Sequence, residues 1–162
     1  MIDVDPRIHV VLYEPEIPPN TGNVIRLCAN TGATLHLVKP LGFRLDDKSL
    51  RRSGLNYHDL ANLRVHDDID ACLGTLGAAR VFAVETGGRL CYSELDYQPG
   101  DAFVFGPETR GLPAALLDKL TAERTLFIPM RPDSRSLNLS NAVAVVVFTA
   151  WQRFGFAGCV AT

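Results

Sequence analysis

The 162-residue sequence has little of what marks a membrane or secreted protein. Its longest apolar run, from Ala142 to Phe148, has seven residues, whereas a transmembrane helix needs roughly 20. Residues 1–6 carry two aspartates and no lysine or arginine, so they do not have the character of a secretory or organelle targeting segment. We therefore expect no membrane span and a cytoplasmic location.

Cysteine and histidine are scarce and scattered. The four cysteines form no C-x-x-C pair and have no neighbouring histidine pairs, and the four histidines show no ligand spacing along the chain. This distribution argues against a disulfide framework and against a metal site. We expect reduced, mostly buried thiols, no metal, and structural roles for the two histidines within predicted strands. These residues are Cys28, Cys72, Cys91 and Cys159, with His9 and His36.

Several common enzyme signatures are also missing. No two glycines are separated by a single residue, so the G-x-G-x-x-G dinucleotide fingerprint is absent. The chain has no G-x-x-x-x-G-K-[ST] phosphate loop, no G-x-S-x-G nucleophile elbow and no H-E-x-x-H zinc helix. These absences argue against nicotinamide-dependent, P-loop, serine-hydrolase and zinc-protease chemistry.

The composition is that of one compact domain spanning residues 1–162, with 47% hydrophobic residues and a formal charge of −2. The charge is uneven, since residues 1–66 carry 8 basic and 7 acidic side chains while residues 67–123 carry 4 and 10. The basic residues of the first part either form a phosphate-binding surface or belong to an ordinary solvated face of mixed charge. They are Lys39, Arg44, Lys48, Arg51, Arg52 and Arg64.

Short apolar runs alternate with helical patterns along the chain. This alternation predicts an α/β fold with a mostly parallel sheet. The expected strands are Ile8–Tyr13, Thr34–Val38, Val81–Val84, Phe103–Phe105 and Thr125–Ile128.

The first predicted helix has a clear start, stop and apolar face. Thr21 can cap it, Gly32 can end it, and Arg26 points away from its apolar stripe. Further helices are expected after Asp46 or Asp47 and, capped by Asp67, as far as about Leu76. The stripe of the first helix consists of Val24, Leu27, Cys28 and Thr31.

A helix is also expected at Pro113, and another from Asn141 to Phe154. The latter is apolar nearly all round and can be capped by Ser140 or Asn138. Two interpretations stay open: a second subunit covers one of its faces, or the helix is fully enclosed in the core.

Three loops rich in Gly, Pro, Asn or Ser follow predicted strands directly: residues 15–21, 106–112 and 129–140. Parallel sheets bind ligands at the carboxyl ends of their strands. Each loop on its own could be an ordinary turn, but three of them together indicate a ligand site.

The same loops carry a resemblance to a known superfamily. The segments 20–26 (NTGNVIR), 105–113 (FGPETRGLP) and 128–142, which contains IPM and SLNLSNA, resemble the three motifs of the SPOUT RNA methyltransferases in order and spacing. The resemblance runs from about Ile8 to Phe156. Residues 12–23 and 132–136 are similar to the compact tRNA 2'-O-methyltransferases that act on the wobble cytidine or uridine.

The resemblance implies a fold that periodicity would not suggest, because knotted chains are very rare. SPOUT members form a deep trefoil knot in their carboxyl-terminal part, here about residues 81–156. They bind S-adenosylmethionine (AdoMet) in a bent conformation inside the knot. They also work as homodimers whose active sites draw on both subunits.

The resemblance also implies site residues. Arg26, the arginine of the first motif, would activate the 2'-hydroxyl of the ribose. Because a guanidinium is a poor literal base, we expect Arg26 to act as a positive charge that orients the adjacent phosphate and lowers the pKa of the hydroxyl; a surface salt bridge is the alternative. Glu108 would orient Arg26 or help to place the cofactor, and Asn141 would hold the ribose. The cofactor would contact Val84, Gly106, Ile128, Met130, Ser136 and Leu137.

A tRNA substrate requires basic residues for its phosphates and aromatic groups for unstacked bases. Tyr57 and His58 are candidate stacking partners. Two other functions stay open: ribose methylation of ribosomal RNA, and a non-catalytic RNA-binding role for a knotted protein. The candidate phosphate contacts are Arg51, Arg52, Arg131, Arg135 and Arg153.

Overall fold

The computed structural model describes residues 7–160 as one seven-stranded sheet with helices packed on it. Two short 3-10 turns, at Tyr92–Glu94 and Ala122–Arg124, accompany these elements. In chain order the strands and helices are β1 His9–Tyr13, α1 Pro18–Thr31, β2 Thr34–Val38, α2 Asp47–Arg52, β3 Leu63–His66, α3 Ile69–Leu76, β4 Val81–Val84, β5 Leu90–Cys91, β6 Ala102–Phe105, α4 Ala114–Leu120, β7 Thr125–Phe127 and α5 Leu139–Arg153.

The strand order is β3-β2-β1-β6-β4-β7-β5, and every recorded strand pairing is parallel. The predicted α/β class with a parallel sheet is therefore confirmed. The chain moves outward from β1 in one direction through β2 and β3, and β6 lies on the other side of β1. Such a reversal of strand order opens a crevice at the carboxyl ends of the strands, which is where ligands bind in sheets of this kind.

Both faces of the sheet are covered, as a parallel sheet requires. Strand β1 shows the alternation directly: Val10 and Leu12 face the core layer that contains α1 and α5, while Val11 faces the layer of α3 and α4. Phe103 is fully buried in the first layer. This packing fixes the ends of β1 and β6 relative to each other, and the candidate site lies at those ends.

The first helix begins earlier than predicted. It starts at Pro18 with Ile17 as the N-cap residue, so the prediction that Thr21 caps it is wrong. Pro18 and Pro19 occupy the first helical positions, where the fixed φ of proline favours a helix and its missing N–H costs nothing. Gly32 ends the helix in the left-handed conformation at φ 81°, as predicted.

Of the N-caps predicted for the next two helices, one is confirmed and one is wrong. Asp46 caps α2 by accepting a 2.8 Å hydrogen bond from the Ser49 amide, as expected. The cap of α3 is Asp68, whose side chain accepts from the Ala71 amide, so the assignment to Asp67 is wrong by one residue. Adjacent aspartates offer the same capping chemistry, and only the backbone path selects between them.

The edge strands β3 and β5 were not predicted. They have four and two residues and are only partly buried, so they lack the continuous apolar pattern of the central strands. Strand β3 forms by pairing with β2, and β5 forms by pairing with β7, which lies far from it in the sequence. Such tertiary pairing overrides weak local propensity.

Helix α5 begins at Leu139, two residues before the predicted start at Asn141. Asn138 caps it by accepting from the Ser140 amide. One stripe of the helix is buried within the chain, but Phe148 on another face is 43% exposed, so a fully enclosed helix is wrong. The aromatic rings of Phe148, Trp151 and Phe156 pack edge to face on this outer side. The buried stripe comprises Val143, Val146, Val147 and Ala150.

Three histidines form a hydrogen-bonded chain across neighbouring strands. The rings of His9 and His36 lie 3.0 Å apart, Nδ1 to Nε2, and those of His36 and His66 lie 2.9 Å apart. The structural role predicted for His9 and His36 is thus confirmed. Burial, reinforced by the nearby histidines and Arg64, lowers the pKa of His36 to about 4, so the central ring of the chain is neutral at pH 7.

The four cysteines are free thiols, as expected. Cys28 and Cys72 are buried, Cys91 is half-buried and Cys159 is exposed. Burial raises the pKa of the Cys28 thiol to about 12, which keeps it protonated and unreactive. Among residues 7–160, no helix has both the length and the apolar content needed to cross a membrane.

Candidate active site

A cavity of about 540 Å³ lies at the carboxyl ends of the central strands. Its volume falls in the range of roughly 300–1,000 Å³ that is usual for small-molecule sites. Strands β1, β6, β4 and β7 are consecutive neighbours in the sheet, so the loops that follow them meet there. The walls include the loop after β4, the loop after β6, the loop after β7 and the first turns of α1 and α5.

All six residues predicted to contact the cofactor line this cavity. Three elements bring them together: the end of β4, the loop after β6, and the long loop between β7 and α5. The first and third loops are separated by more than 40 residues in sequence, and the parallel sheet alone places them side by side. The six residues are Val84, Gly106, Ile128, Met130, Ser136 and Leu137.

Gly106 permits a very close approach of two backbone segments. A Cβ atom built on Gly106 would lie 2.6 Å from the carbonyl carbon of Gly111 and 2.7 Å from the Leu112 nitrogen. These distances are shorter than any real Cβ contact, and both neighbours are backbone atoms. The loop from Gly106 to Leu112 therefore folds back on itself in a way that only glycine allows.

Two glutamates join the loop after β6 to the loop before α1. Glu108 accepts hydrogen bonds from the backbone amides of Glu16 at 2.8 Å and Ile17 at 3.3 Å. In return, the Glu16 carboxylate accepts from the amide and the hydroxyl of Thr109, at 3.0 and 2.7 Å. These hydrogen bonds from Thr109 lower the pKa of Glu16. Glu108 also places its charge at the N-terminus of α1, where the helix dipole favours it.

Asn20 links the three predicted motifs. Its side-chain amide nitrogen lies 3.5 Å from Glu108 Oε1, and its carbonyl oxygen accepts a 2.9 Å hydrogen bond from Asn138 Nδ2. Asn138 in turn caps α5 through Ser140. Asn20 is buried and lines the cavity, so one side chain connects the starts of α1 and α5 to the loop after β6.

Glu85 is a cavity residue that the sequence did not single out. Its carboxylate accepts a 2.6 Å hydrogen bond from the Leu112 amide, which fixes the far end of the loop after β6. It follows Val84 directly at the end of β4, and a polar residue directly after a buried strand is the signal that would have indicated it.

Arg26 lies outside the cavity of its own chain. It projects from α1, and its Nη2 atom donates a 2.8 Å hydrogen bond to the Gly54 carbonyl oxygen. Its Nε atom lies 3.7 Å from an oxygen of Asp59. The suggestion that Glu108 orients Arg26 finds no support among the hydrogen bonds of the described residues, because Glu108 bonds instead to Glu16, Ile17 and Asn20.

Asn141 is exposed in the first turns of α5 and is not among the residues that line the cavity. The five predicted phosphate contacts are all exposed, and they occupy three places. Two lie in the last turn of α2, two lie in the loop after β7, and one at the end of α5 donates to the Ser93 carbonyl oxygen. They are Arg51, Arg52, Arg131, Arg135 and Arg153.

One group of potential metal donors exists within the described part of the chain. Ligand atoms of His36, His66 and Cys72 lie within 4.8 Å of one another. Sequence spacing could not reveal this group, because its members come from two strands and a helix. The nitrogens of His36 and His66 that face each other share a hydrogen bond, so one of them carries a proton and the lone pair of the other accepts it.

Comparison with known proteins places the fold and the loops in one family. Residues 7–148 match the model of the SpoU rRNA Methylase family. The chain is 57% identical over 151 residues to a tRNA (cytidine(34)-2'-O)-methyltransferase of Methylovorus glucosotrophus, covering 93% of this chain and 98% of that protein. A relative of the same name from Escherichia coli K12 is 57% identical over 153 residues, covering 94% and 98%.

Two solved structures of methyltransferases have the same fold as this chain. A structure described as giving insights into the 2-OH methylation of C/U34 on tRNA superposes with a TM-score of 0.85 at 45% identity, covering 93% of this chain and 98% of that chain. The AdoMet-bound AviRb methyltransferase of Streptomyces viridochromogenes shares the fold with a TM-score of 0.79 at 22% identity, covering 93% and 59%. The resemblance to SPOUT RNA methyltransferases is confirmed, and the chain belongs to the SpoU rRNA methylase family of methyltransferases.

Proposed function

We propose that this protein transfers a methyl group from AdoMet to the ribose 2'-hydroxyl of the wobble nucleotide, cytidine or uridine, in the tRNA anticodon loop. The observation that carries the proposal is that hydrogen bonds join the three motif loops around one cavity. The close relatives named above, which cover nearly the whole chain, support the choice of tRNA and of the 2'-hydroxyl. AdoMet supplies the methyl group carried on its sulfonium.

The residues of the cavity fit AdoMet. The cofactor is a cation at sulfur, and the carboxylates of Glu85 and Glu108 are at the cavity wall. Backbone groups at Val84, Gly106 and Ile128 can read an adenine ring without using their side chains, and Met130, Ser136 and Leu137 also line the cavity. At Gly106 itself a side chain is excluded by the backbone of Gly111 and Leu112.

Methyl transfer needs an in-line displacement. The ribose oxygen forms a bond to the methyl carbon as the bond from carbon to sulfur breaks, and the hydroxyl proton must leave. A guanidinium is a poor base, so the role of Arg26 is to bind the adjacent phosphate and to stabilise the charge that develops on the oxygen. Asn141 would hold the ribose, and water or another group would take the proton.

The position of Arg26 supports a homodimer with shared active sites. Arg26 does not line the cavity of its own chain, whereas a catalytic group must reach the acceptor hydroxyl. A second copy would bring its Arg26 to the first copy's cofactor. The aromatic cluster of Phe148, Trp151 and Phe156 on the outer side of α5 is an apolar surface suited to such an isologous contact.

A trefoil knot within about residues 81–156 completes the proposal. The last strand, β7, lies between β4 and β5, although both precede it in the sequence. The connection from β4 to β5 runs along β7, with Glu85 and Arg89 donating amide hydrogens to Leu126 and Thr125. A Cβ on Gly88 would lie 2.4 Å from the Leu126 carbonyl group. This close crossing supports the proposed threading of the later chain through an earlier loop.

The substrate surface would combine Arg51 and Arg52 with the arginines of the loop after β7, Arg131 and Arg135. Tyr57 is 82% exposed and can stack on an unpaired base. We infer that these residues bind an anticodon stem-loop. Because its substrate is tRNA, the enzyme would act in the cytoplasm.

The test is methyl transfer from labelled AdoMet to unmodified tRNA transcripts and, in parallel, to unmodified ribosomal RNA, by the wild-type protein and by Arg26→Ala, followed by digestion to locate the label. We expect label on the 2'-oxygen of the wobble nucleotide, which protects the following phosphodiester from alkali. Arg26→Ala should lose transfer but bind AdoMet normally by calorimetry. Label on ribosomal RNA instead would favour the second substrate, and absence of AdoMet binding would favour a non-catalytic RNA-binding protein.

A further inference from the structure

The connection between α2 and β3 holds Arg26 at two points. The Gly54 carbonyl oxygen accepts from Arg26 Nη2 at 2.8 Å, and Asp59 Oδ1 lies 3.7 Å from Nε. Both contacts come from one segment, residues 53–60, which is distant from α1 in sequence. The orientation of the guanidinium is therefore set by a loop that the three motifs do not include.

Asp59 is itself firmly anchored. Its Oδ2 accepts a 3.0 Å hydrogen bond from the Asn56 amide, and its own amide donates to Asn56 Oδ1 at 3.1 Å. The Asp59 side chain is only 8% exposed, whereas that of Arg26 is 51% exposed. A buried, hydrogen-bonded carboxylate thus faces one edge of a largely solvated guanidinium, which makes Asp59 the fixed partner of the pair.

The two contacts leave part of the guanidinium available. Within residues 7–160, Nη1 of Arg26 makes no recorded hydrogen bond, while Nη2 is used by Gly54 and Nε faces Asp59. A guanidinium held along one edge can present its remaining N–H groups to a phosphate oxygen in a fixed direction. Without Asp59, the long arginine side chain would sample several rotamers and lose this direction.

The same segment carries the exposed residues that face solvent beside Arg26. Tyr57 and His58 lie between Asn56 and Asp59, and Tyr57 is 82% exposed. Arg51 and Arg52 directly precede the segment in the last turn of α2. An RNA bound to these residues would therefore touch the loop that orients Arg26, which couples substrate contact to the position of the catalytic group.

We propose that Asp59 is a positioning residue for methyl transfer, acting through Arg26 by fixing the direction of its guanidinium. This inference rests on the proposed function, because it assumes that Arg26 acts on the acceptor ribose. Asp59 does not line the cofactor cavity, so it should leave AdoMet affinity unchanged. Its effect should fall on the rate of the chemical step.

The first test is Asp59→Asn, which retains an oxygen to accept from the Asn56 amide and removes the charge that faces Arg26. We expect kcat for tRNA methylation to fall about 10- to 100-fold, the loss that misplacement of a catalytic group by about 1 Å can cause. KM for AdoMet and the melting temperature should stay near those of the wild type. Asp59→Glu, which keeps the charge, should recover part of the rate.

Asp70→Asn is the matched control. Asp70 is an exposed aspartate that pairs with Lys119 at 3.0 Å on the other face of the sheet. Like Asp59→Asn, the Asp70→Asn substitution removes one aspartate charge and one ion pair, but this ion pair does not involve Arg26. Its kcat should equal that of the wild type.

A double-mutant comparison separates positioning from a general structural role. If Asp59 acts through Arg26, Asp59→Asn should have no further effect on the residual rate of Arg26→Ala in single-turnover reactions. Equal fold-losses in both backgrounds would show that Asp59 acts independently of Arg26 and would overturn the inference. A kcat of Asp59→Asn equal to that of the wild type would overturn it too.

The wild-type reaction distinguishes this failure from failure of the proposed function. If the wild-type protein transfers no methyl group to tRNA, the proposed function and the positioning role fail together. If it does transfer methyl groups and either result above is obtained, the positioning role alone fails.

Discussion

Glu16 and Glu108 each use their carboxylate to bind the backbone of the other's loop. The Glu16 amide donates to Glu108 at 2.8 Å, and Glu16 accepts from the amide of Thr109, the neighbour of Glu108, at 3.0 Å. The exchange joins the loop after β1 to the loop after β6 across adjacent strands. It therefore ties the start of α1, the helix that carries Arg26, to the wall of the cofactor cavity.

Glu108→Gln tests this connection. The amide side chain has one acceptor oxygen, so its NH₂ group would face the amide of Glu16 or Ile17 as a second donor. We expect a loss of about 1–2 kcal/mol in the free energy of unfolding and weaker AdoMet binding, since the cavity wall loosens. Urea unfolding and calorimetry measure the two effects. Glu94→Gln, at an exposed site, should change neither, and an unchanged AdoMet affinity in Glu108→Gln would contradict the argument.

Gly106→Ala should abolish AdoMet binding. The added methyl group would lie 2.6 Å from Gly111 and 2.7 Å from Leu112, so the loop after β6 must move away from the cavity. Gly87→Ala is the control, because a Cβ at Gly87 meets nothing within 4 Å. Calorimetry should find no binding in the first variant and wild-type affinity in the second. Normal binding by Gly106→Ala would show that the loop yields without cost to the site.

The buried His36 should make stability depend on pH. Burial first, then His9 and His66, lowers the folded-state pKa of His36 to about 4 from 6.5, so the unfolded chain binds more protons between these values. The stabilising contribution is present above about pH 6.5 and is lost as the pH falls through about 4. It amounts to roughly 3 kcal/mol for a shift of this size.

Urea midpoints at pH 7.5 and pH 5, at fixed protein concentration, measure this contribution. His36→Gln should flatten the dependence, because the glutamine amide does not titrate in this range. The exposed His58 is the matched control, and His58→Gln should follow the wild type. Parallel curves for the wild type and His36→Gln would mean that His36 takes up no protons on unfolding.

The sequence predicted the central strands well because their apolar runs are buried on both sides of the sheet. Val81–Val84 and Thr34–Val38 have the predicted bounds. It missed β3 and β5, which exist only through pairing with distant partners. For the site, the resemblance to the three motifs identified six residues that line the cavity, but it did not indicate Glu85 or Asp59. The role of Glu85 depends on a hydrogen bond to Leu112, 27 residues away, and that of Asp59 on an ion pair with Arg26, 33 residues away.

Phe148→Asp tests the proposed dimer and its shared site together. Phe148 is 43% exposed beside Trp151 on the outer side of α5, and a carboxylate there would be desolvated in an isologous contact. We expect a monomer by analytical ultracentrifugation and loss of methyl transfer. AdoMet binding should persist at least in part, because the described cavity is formed within one chain. Val65→Asp, at a site 41% exposed on the edge strand β3, should remain dimeric and active. A Phe148→Asp variant that stays dimeric would place the interface elsewhere, and a fully active monomer would remove the need for a partner's Arg26.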